Sequence, residues 1–293
     1  MVFDAYYAPQ GEEKLLEACA AIRHLALDMD GTIYMGMSLF PFTNPFLQTL
    51  RELGIGYTFL TNNPTRSADD YIAKLRRLGV EAEPSQMYTS SMATIDYLRH
   101  NRPEIQRLFV LGTPSMQEEF RRAGFILTAD DPDDRPDALL VAFDTTLEYS
   151  RLCRAAWWAA QGEGMPYIAT NPDWVCPTDE RTVLVDCGSL CKAIEGATGR
   201  QPDLVIGKPA PGMLWCIRDR YGLENHELGM VGDRIYTDVA AGRNAGGLGV
   251  LVLSGETSLE TALASDPVPE LICRDISVLG ELLRRAHSAK MAG

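Results

Sequence analysis

The chain of 293 residues has no apolar run near the roughly 18–20 residues that a membrane-crossing helix needs. Met1–Gln10 has neither the basic start nor the apolar core of a secretory signal. Both absences predict a cytoplasmic protein with no membrane partner. Cysteine is sparse and odd in number, seven residues scattered along the chain. Cys187 and Cys191 stand four apart, which is helical spacing and not C-x-x-C. A disulfide framework and a zinc site are thereby disfavoured, and reduced thiols are expected. Only four histidines occur, and none falls in the motifs described below. Positive charge is also short: 27 Lys and Arg face 40 Asp and Glu, a net charge of −13. That balance argues against a nucleic-acid duplex or an anionic membrane as partner. The 46% of hydrophobic residues is ordinary for a folded protein, and the length leaves room for two domains.

What is present is organised around Leu25-Ala26-Leu27-Asp28-Met29-Asp30-Gly31-Thr32. The short apolar run reads as a strand buried on both faces. It ends in two carboxylates one residue apart, which are costly at a buried strand end unless compensated. A divalent cation would compensate them, and carboxylate oxygens suit Mg²⁺. An Asp-Gly turn with no further role is the competing reading of this stretch alone. Three later stretches repeat the pattern of a strand ending in polar residues. They are Phe59-Leu60-Thr61-Asn62-Asn63, Val205-Ile206-Gly207-Lys208 and Met230-Val231-Gly232-Asp233, the last followed by Thr237-Asp238.

Strand and helix patterns alternate along the chain, which predicts an α/β fold with a doubly wound parallel sheet of roughly six strands. Helices are expected at Glu12–Ile22, Pro45–Leu53, Pro211–Tyr221, Thr237–Ala245 and Ser277–His287, and Ile33–Phe42 reads as a hairpin or flap. Leu204–Ile206 is read as a strand of the same sheet. Between about residues 103 and 202 the alternation starts afresh, with enough apolar residues for a core of its own. The expected organisation is a catalytic core of residues 1–102 and 203–293, interrupted by an inserted α/β domain at 103–202.

Four motifs in the order nucleophile, hydroxyl and amide, lysine, acid resemble the haloacid dehalogenase (HAD) superfamily. The Thr61-Asn62-Asn63 form and the long insertion before Lys208 resemble its NagD-like, p-nitrophenyl-phosphatase subfamily. The resemblance implies a Rossmann-like core with a cap, and hydrolysis of a phosphomonoester through an aspartyl-phosphate. It assigns Asp28 as nucleophile and Asp30 as acid and base. Mg²⁺ would be held by Asp28, Asp30 and Asp233, and the phosphate by Thr61, Asn62, Asn63 and Lys208. Asp238 would orient groups around the metal or Lys208, although an acid in a helix's first turn also suits the helix dipole. The 103–202 insertion would select the substrate through Asn171, Asp173 and Trp174, which lie in Thr170-Asn171-Pro172-Asp173-Trp174-Val175-Cys176. Trp174 suits stacking on a ring and equally suits loop packing. Trp157-Trp158 suits the cap core or a homodimer face. The expected partner is a small phosphorylated metabolite. A phosphotransferase or mutase using the same aspartyl-phosphate, and a non-catalytic phosphate-binding regulator, are the rival readings. A carbon–halogen hydrolase is disfavoured, because Asp30 supplies an acid that metal-free displacement does not need.

Overall fold

His24 to Leu27 form a strand buried at every position, and Asp28 continues from it with its N–H bonded to Val231 O at 2.8 Å. The computed structural model in which this is seen describes residues 5–162, 164–176 and 181–292. It divides into two compact units. The first runs through Leu60, takes in Ile72–Met87 and resumes at Lys208, and the second comprises Thr61–Tyr71 and Tyr88–Gly207. The second takes in the 103–202 block together with flanking segments. No helix among the described residues is long and apolar enough to cross a membrane.

In the first unit a seven-stranded sheet has the order Tyr6–Tyr7, Leu271–Cys273, Leu248–Val252, Leu228–Gly232, His24–Leu27, Gly56–Thr61, Met87–Thr89. His24–Leu27 pairs in parallel with Leu228–Gly232 on one side and Gly56–Thr61 on the other. Both neighbours follow it in the chain, so the connections that leave this strand run to opposite sides of the sheet. This is the switch point where crevices open at the carboxyl ends of strands in such sheets. Tyr6–Tyr7 is an antiparallel edge strand.

The second unit has its own five-stranded sheet, in the order Leu204–Val205, Tyr167–Ala169, Ala138–Val141, Arg107–Leu111, Ile126–Leu127. Its core packs Phe109, Leu139, Trp158, Tyr167, Leu190 and Ile194. Trp158 belongs to that core, while its neighbour Trp157 is half exposed. Leu204–Val205, expected in the first sheet, pairs instead with Ile168–Ala169. Two residues of strand carry too little pattern to say which sheet they join. An antiparallel pair, Val175–Cys176 with Leu184–Val185, also lies here.

Local chemistry explains several helix ends among the described residues. Thr89, Thr113 and Asp186 each accept a backbone N–H at the start of Ser90–Asn101, Pro114–Arg122 and Cys187–Thr198. Gly54 and Gly199, both left-handed, end Thr43–Leu53 and Cys187–Thr198. Thr43–Leu53 begins two residues before the expected Pro45, which a helix tolerates in its first turn. The Thr43 hydroxyl anchors that start by donating to Ile33 O at 2.6 Å. The last helix, Ile276–Ala292, continues beyond the expected end at His287. Tyr34–Met35 and Ser38–Leu39 form the hairpin expected within Ile33–Phe42.

His24 is buried in the first unit, bonded to Thr58 Oγ1 at 2.9 Å and stacked on Tyr221. Burial, with a smaller push from Arg220, lowers its pKa from 6.5 to about 4. Above pH 6.5 both states hold a neutral ring, and the residue has no pH effect. Below it the unfolded chain takes up a proton that the folded one refuses, so stability falls with pH down to about 4. The expected loss is about 2 kcal/mol between pH 7 and 5. Urea melts at both pH values should show this loss shrinking by that amount in His24→Gln. An unchanged pH dependence would remove His24 as its source.

Candidate active site

The first unit assembles its site from the ends of strands His24–Leu27 and Leu228–Gly232, from Lys208 and from the turn that carries Asp238. Lys208 Nζ donates to Asp28 Oδ1 and to Asp238 Oδ1, both at 2.6 Å. Lys208 and Asp238 are almost wholly buried, and the Asp28 side chain is 15% exposed. Carboxylate oxygens of Asp28, Asp233 and Asp238 lie within 4.8 Å of one another. Asp238 reaches the cluster from a π-helical turn, Ile235–Val239, where the pattern predicted α-helix for Thr237–Ala245. The wider turn lets both Asp238 and Val239 N–H groups bond Arg234 O, while Asp238 Oδ2 accepts from Arg234 N–H at 3.1 Å. Regular helix resumes at Ala240–Asn244. Wide turns of this kind often mark functional sites.

Close packing of backbone around the acids needs glycine at particular positions. A Cβ on Gly255 would fall 2.0 Å from Asp233 Oδ2, and one on Gly31, which has φ +82°, 2.4 Å from the same atom. Any side chain at these two positions would push Asp233 aside. Asp233 Oδ2 accepts the Glu256 N–H at 2.6 Å, and Asp233 Oδ1 is buried without a hydrogen-bond partner.

Burial drives the electrostatics. It raises the Asp28 carboxyl well above the usual range, opposed by the Lys208 ammonium and reinforced by Asp238 and Asp233. Burial and Asp238 likewise lift Asp233 to about 6. Burial alone would lower Lys208, but the Asp238 and Asp28 carboxylates outweigh it and hold the ammonium charged. Ionised, three acids against one ammonium leave two negative charges in excess. A divalent cation matches that excess, and the hard oxygen donors and the orphaned Asp233 Oδ1 suit Mg²⁺. Asp30 is exposed to solvent. Partial desolvation raises its carboxyl, while Lys74, the Tyr34 hydroxyl and Arg234 favour its ionised form.

The remaining expected site residues lie in the second unit. Thr61, the last residue of Gly56–Thr61, accepts the Asn63 N–H on its hydroxyl at 3.1 Å. The Asn62 amide donates to Asp173 Oδ2 at 3.0 Å, and Asn63 Nδ2 points to Cys176 Sγ at 3.6 Å. Asn171 is fully buried and donates to Asp173 Oδ2 at 3.1 Å and Asp186 Oδ1 at 3.0 Å. Its carbonyl oxygen accepts the Thr170 hydroxyl. Asn171 thus holds the loop together, whereas Asp173 Oδ1 is buried with no hydrogen-bond partner and Trp174 is 58% exposed. Asp186 was not anticipated in this network. Its position just before a helical pattern was the available signal, since aspartate is a favoured N-cap.

A haloacid dehalogenase-like hydrolase model matches residues 25–126, and a HAD-hydrolase-like model matches residues 205–279. The ribonucleotide monophosphatase NagD of Escherichia coli K12 is 34% identical over 239 residues, covering 82% of this chain and 90% of its own length. Among solved structures, the 4-nitrophenylphosphatase of Thermotoga maritima superposes with a TM-score of 0.83 at 37% identity, over 90% of this chain and 98% of its own. A glycerol phosphate phosphatase of Mycobacterium tuberculosis in complex with magnesium gives a TM-score of 0.81 at 30% identity, over 90% of this chain and 78% of its own. The four strand-end motifs fall inside the matched segments, and the chain belongs to the haloacid dehalogenase-like hydrolases, in their NagD-like phosphatase branch.

Proposed function

We propose that the protein hydrolyses a small phosphomonoester through an aspartyl-phosphate on Asp28, with Mg²⁺ as cofactor. The observation that carries this reading is the Asp28 carboxylate, fixed by Lys208 at 2.6 Å and adjoining Asp233 and Asp238 at the sheet's switch point. Asp28 attacks phosphorus, the bond to the leaving oxygen breaks, and Asp30 gives that oxygen its proton. Water then attacks the same phosphorus, Asp30 takes the water's proton, and the bond from phosphorus to Asp28 breaks. One carboxyl serves both halves because the second reverses the proton transfer of the first. Asp28, Asp30 and Asp233 would hold Mg²⁺, which when bound neutralises charge developing on the phosphoryl oxygens. Lys208 adds a fixed positive charge, and Thr61, Asn62 and Asn63 supply neutral polar groups for the phosphate. Asp238 keeps Lys208 in place.

Those groups meet only phosphate and the leaving oxygen, so discrimination among substrates falls to the second unit as cap. Asp173 and Trp174 are the proposed contacts and Asn171 their scaffold. Nucleotides and sugar or polyol phosphates are the substrate class proposed, in a cytoplasmic protein that pairs with a second copy through its cap near Trp157. Phosphate release should be measured over a panel of phosphomonoesters with Mg²⁺, with chelator, and with excess Ca²⁺. Turnover is expected only with Mg²⁺, and Ca²⁺ should inhibit because it takes more oxygen ligands at longer distances. Turnover in chelator, or transfer to an acceptor in place of free phosphate, would overturn the reading. Asp173→Asn and Trp174→Ala should reorder the panel by about 5- to 150-fold, the worth of one hydrogen bond to a buried ligand group. Hydrolysis of p-nitrophenyl phosphate should change less. An unchanged ranking would remove this loop as selector.

A further inference from the structure

The chain that leaves strand Leu248–Val252 meets both acid-bearing turns before it enters helix Leu259–Ala264. Ser254 Oγ donates to Gly31 O at 2.6 Å, in the turn that follows Asp28 and Asp30. Further on, the Glu256 N–H donates to Asp233 Oδ2 at 2.6 Å. Asp233 Oδ1 is buried with no hydrogen-bond partner, so the bond to Oδ2 sets where the other oxygen points. The Glu256 side chain is held in turn. Arg234 Nε meets its Oε2 at 2.8 Å, and the Tyr236 hydroxyl donates to its Oε1 at 3.2 Å. Both donors come from the segment just after Asp233. Glu256 is thus fastened to the Asp233 turn twice, by its backbone and by its side chain. Gly255, between the tethered Ser254 and Glu256, gives the backbone freedom to swing once the side-chain fastening is lost.

We infer that Arg234, Glu256 and Tyr236 are positioning residues, a side-chain clasp that keeps the Glu256 N–H on Asp233 and so holds this carboxylate in place for Mg²⁺. This rests on Asp233 being a Mg²⁺ ligand. The Arg234 and Glu256 side chains are 16% and 45% exposed, and an ion pair so open to water contributes little to folding. Its worth is geometric, because partners of metal-ligating carboxylates fix their orientation. Charge and geometry make opposite predictions here. Arg234 is a cation next to Asp233, so on charge alone its removal favours Mg²⁺. If Arg234 closes a clasp, its removal disfavours Mg²⁺.

The test measures Mg²⁺ affinity by calorimetry on metal-stripped protein without substrate, in Arg234→Met, Glu256→Met, Glu256→Gln, the Arg234→Met/Glu256→Met double variant and Asp233→Asn. Arg234→Met and Glu256→Met are each expected to weaken Mg²⁺ binding about 10-fold or more. The double variant should be no weaker than the worse single one, since both break the same clasp. Glu256→Gln loses the charge but keeps an oxygen for Arg234, and should recover most of the Glu256→Met loss. If Arg234→Met does not fold, the comparison of Glu256→Met with Glu256→Gln decides the matter. Mg²⁺ binding as tight in Arg234→Met as in the unaltered protein, or equal losses in Glu256→Gln and Glu256→Met, would overturn the inference. If Asp233→Asn is still weakened in that case, Asp233 stands as a ligand. Unchanged Mg²⁺ affinity in Asp233→Asn would overturn both.

Discussion

Asp28→Asn is expected to lower turnover by more than about 10³-fold while leaving the fold intact, because an amide cannot act as the nucleophile toward phosphorus. The structure adds a second expectation. Asp28 is one of three clustered acids and is held in a desolvated site that disfavours its charge. Removing that charge relieves repulsion with Asp233 and Asp238. In chelator, the melting temperature of Asp28→Asn should therefore equal or exceed that of the unaltered protein. With Mg²⁺ the order should narrow or reverse, since the variant binds the cation less well and gains less from it. Phosphate release and thermal melts on the same samples check both. A folded Asp28→Asn protein that retains substantial turnover would rule out attack by this residue. A large loss of stability in chelator would show that Asp28 is held chiefly as a partner for Lys208.

Lys208→Met should be the more damaging change to stability. It leaves two carboxylates, Asp28 and Asp238, without the ammonium that each contacts at 2.6 Å. Removing one partner of a buried ion pair costs about 3–5 kcal/mol, mostly the penalty of the charge left behind. Asp238, at 1% side-chain exposure, has little water to replace the lysine. The double variant Lys208→Met/Asp238→Asn should recover more than about half of that loss, because the stranded charge is gone. Catalysis should not recover in either variant. Urea melts of the two variants and the unaltered protein measure this directly. A single variant within about 1 kcal/mol of the unaltered protein would mean that the pair breaks even with its desolvation.

The buried strands of the core and the polar residues at their ends were legible in the sequence because they are written locally. Leu25–Leu27, Phe59–Leu60 and Met230–Val231 are apolar runs that end in polar residues, and such runs report both a buried strand and its functional end. The second α/β rhythm, the Ile33–Phe42 hairpin and most helices were legible for the same reason: periodicity and end signals span only a few residues. Pairing and burial were not. Tyr6–Tyr7 and Met87–Thr89 are strands only because a sheet edge receives them, and Leu204–Val205 joins the sheet that its neighbour Tyr167–Ala169 offers. Lys208 and Asp28, 180 positions apart, share a hydrogen bond that no local pattern specifies. The π-helical turn under Asp238, the full commitment of the Asn171 side chain inside its loop, and the burial of Lys74 on Tyr34 arise in the same way. Each depends on the sum of neighbours arriving from distant parts of the chain, and that sum exists only once the sheets have formed. The sequence by itself therefore determined which groups were available for phosphoryl chemistry, and the tertiary structure decided which of them share a charge, a proton or a wall.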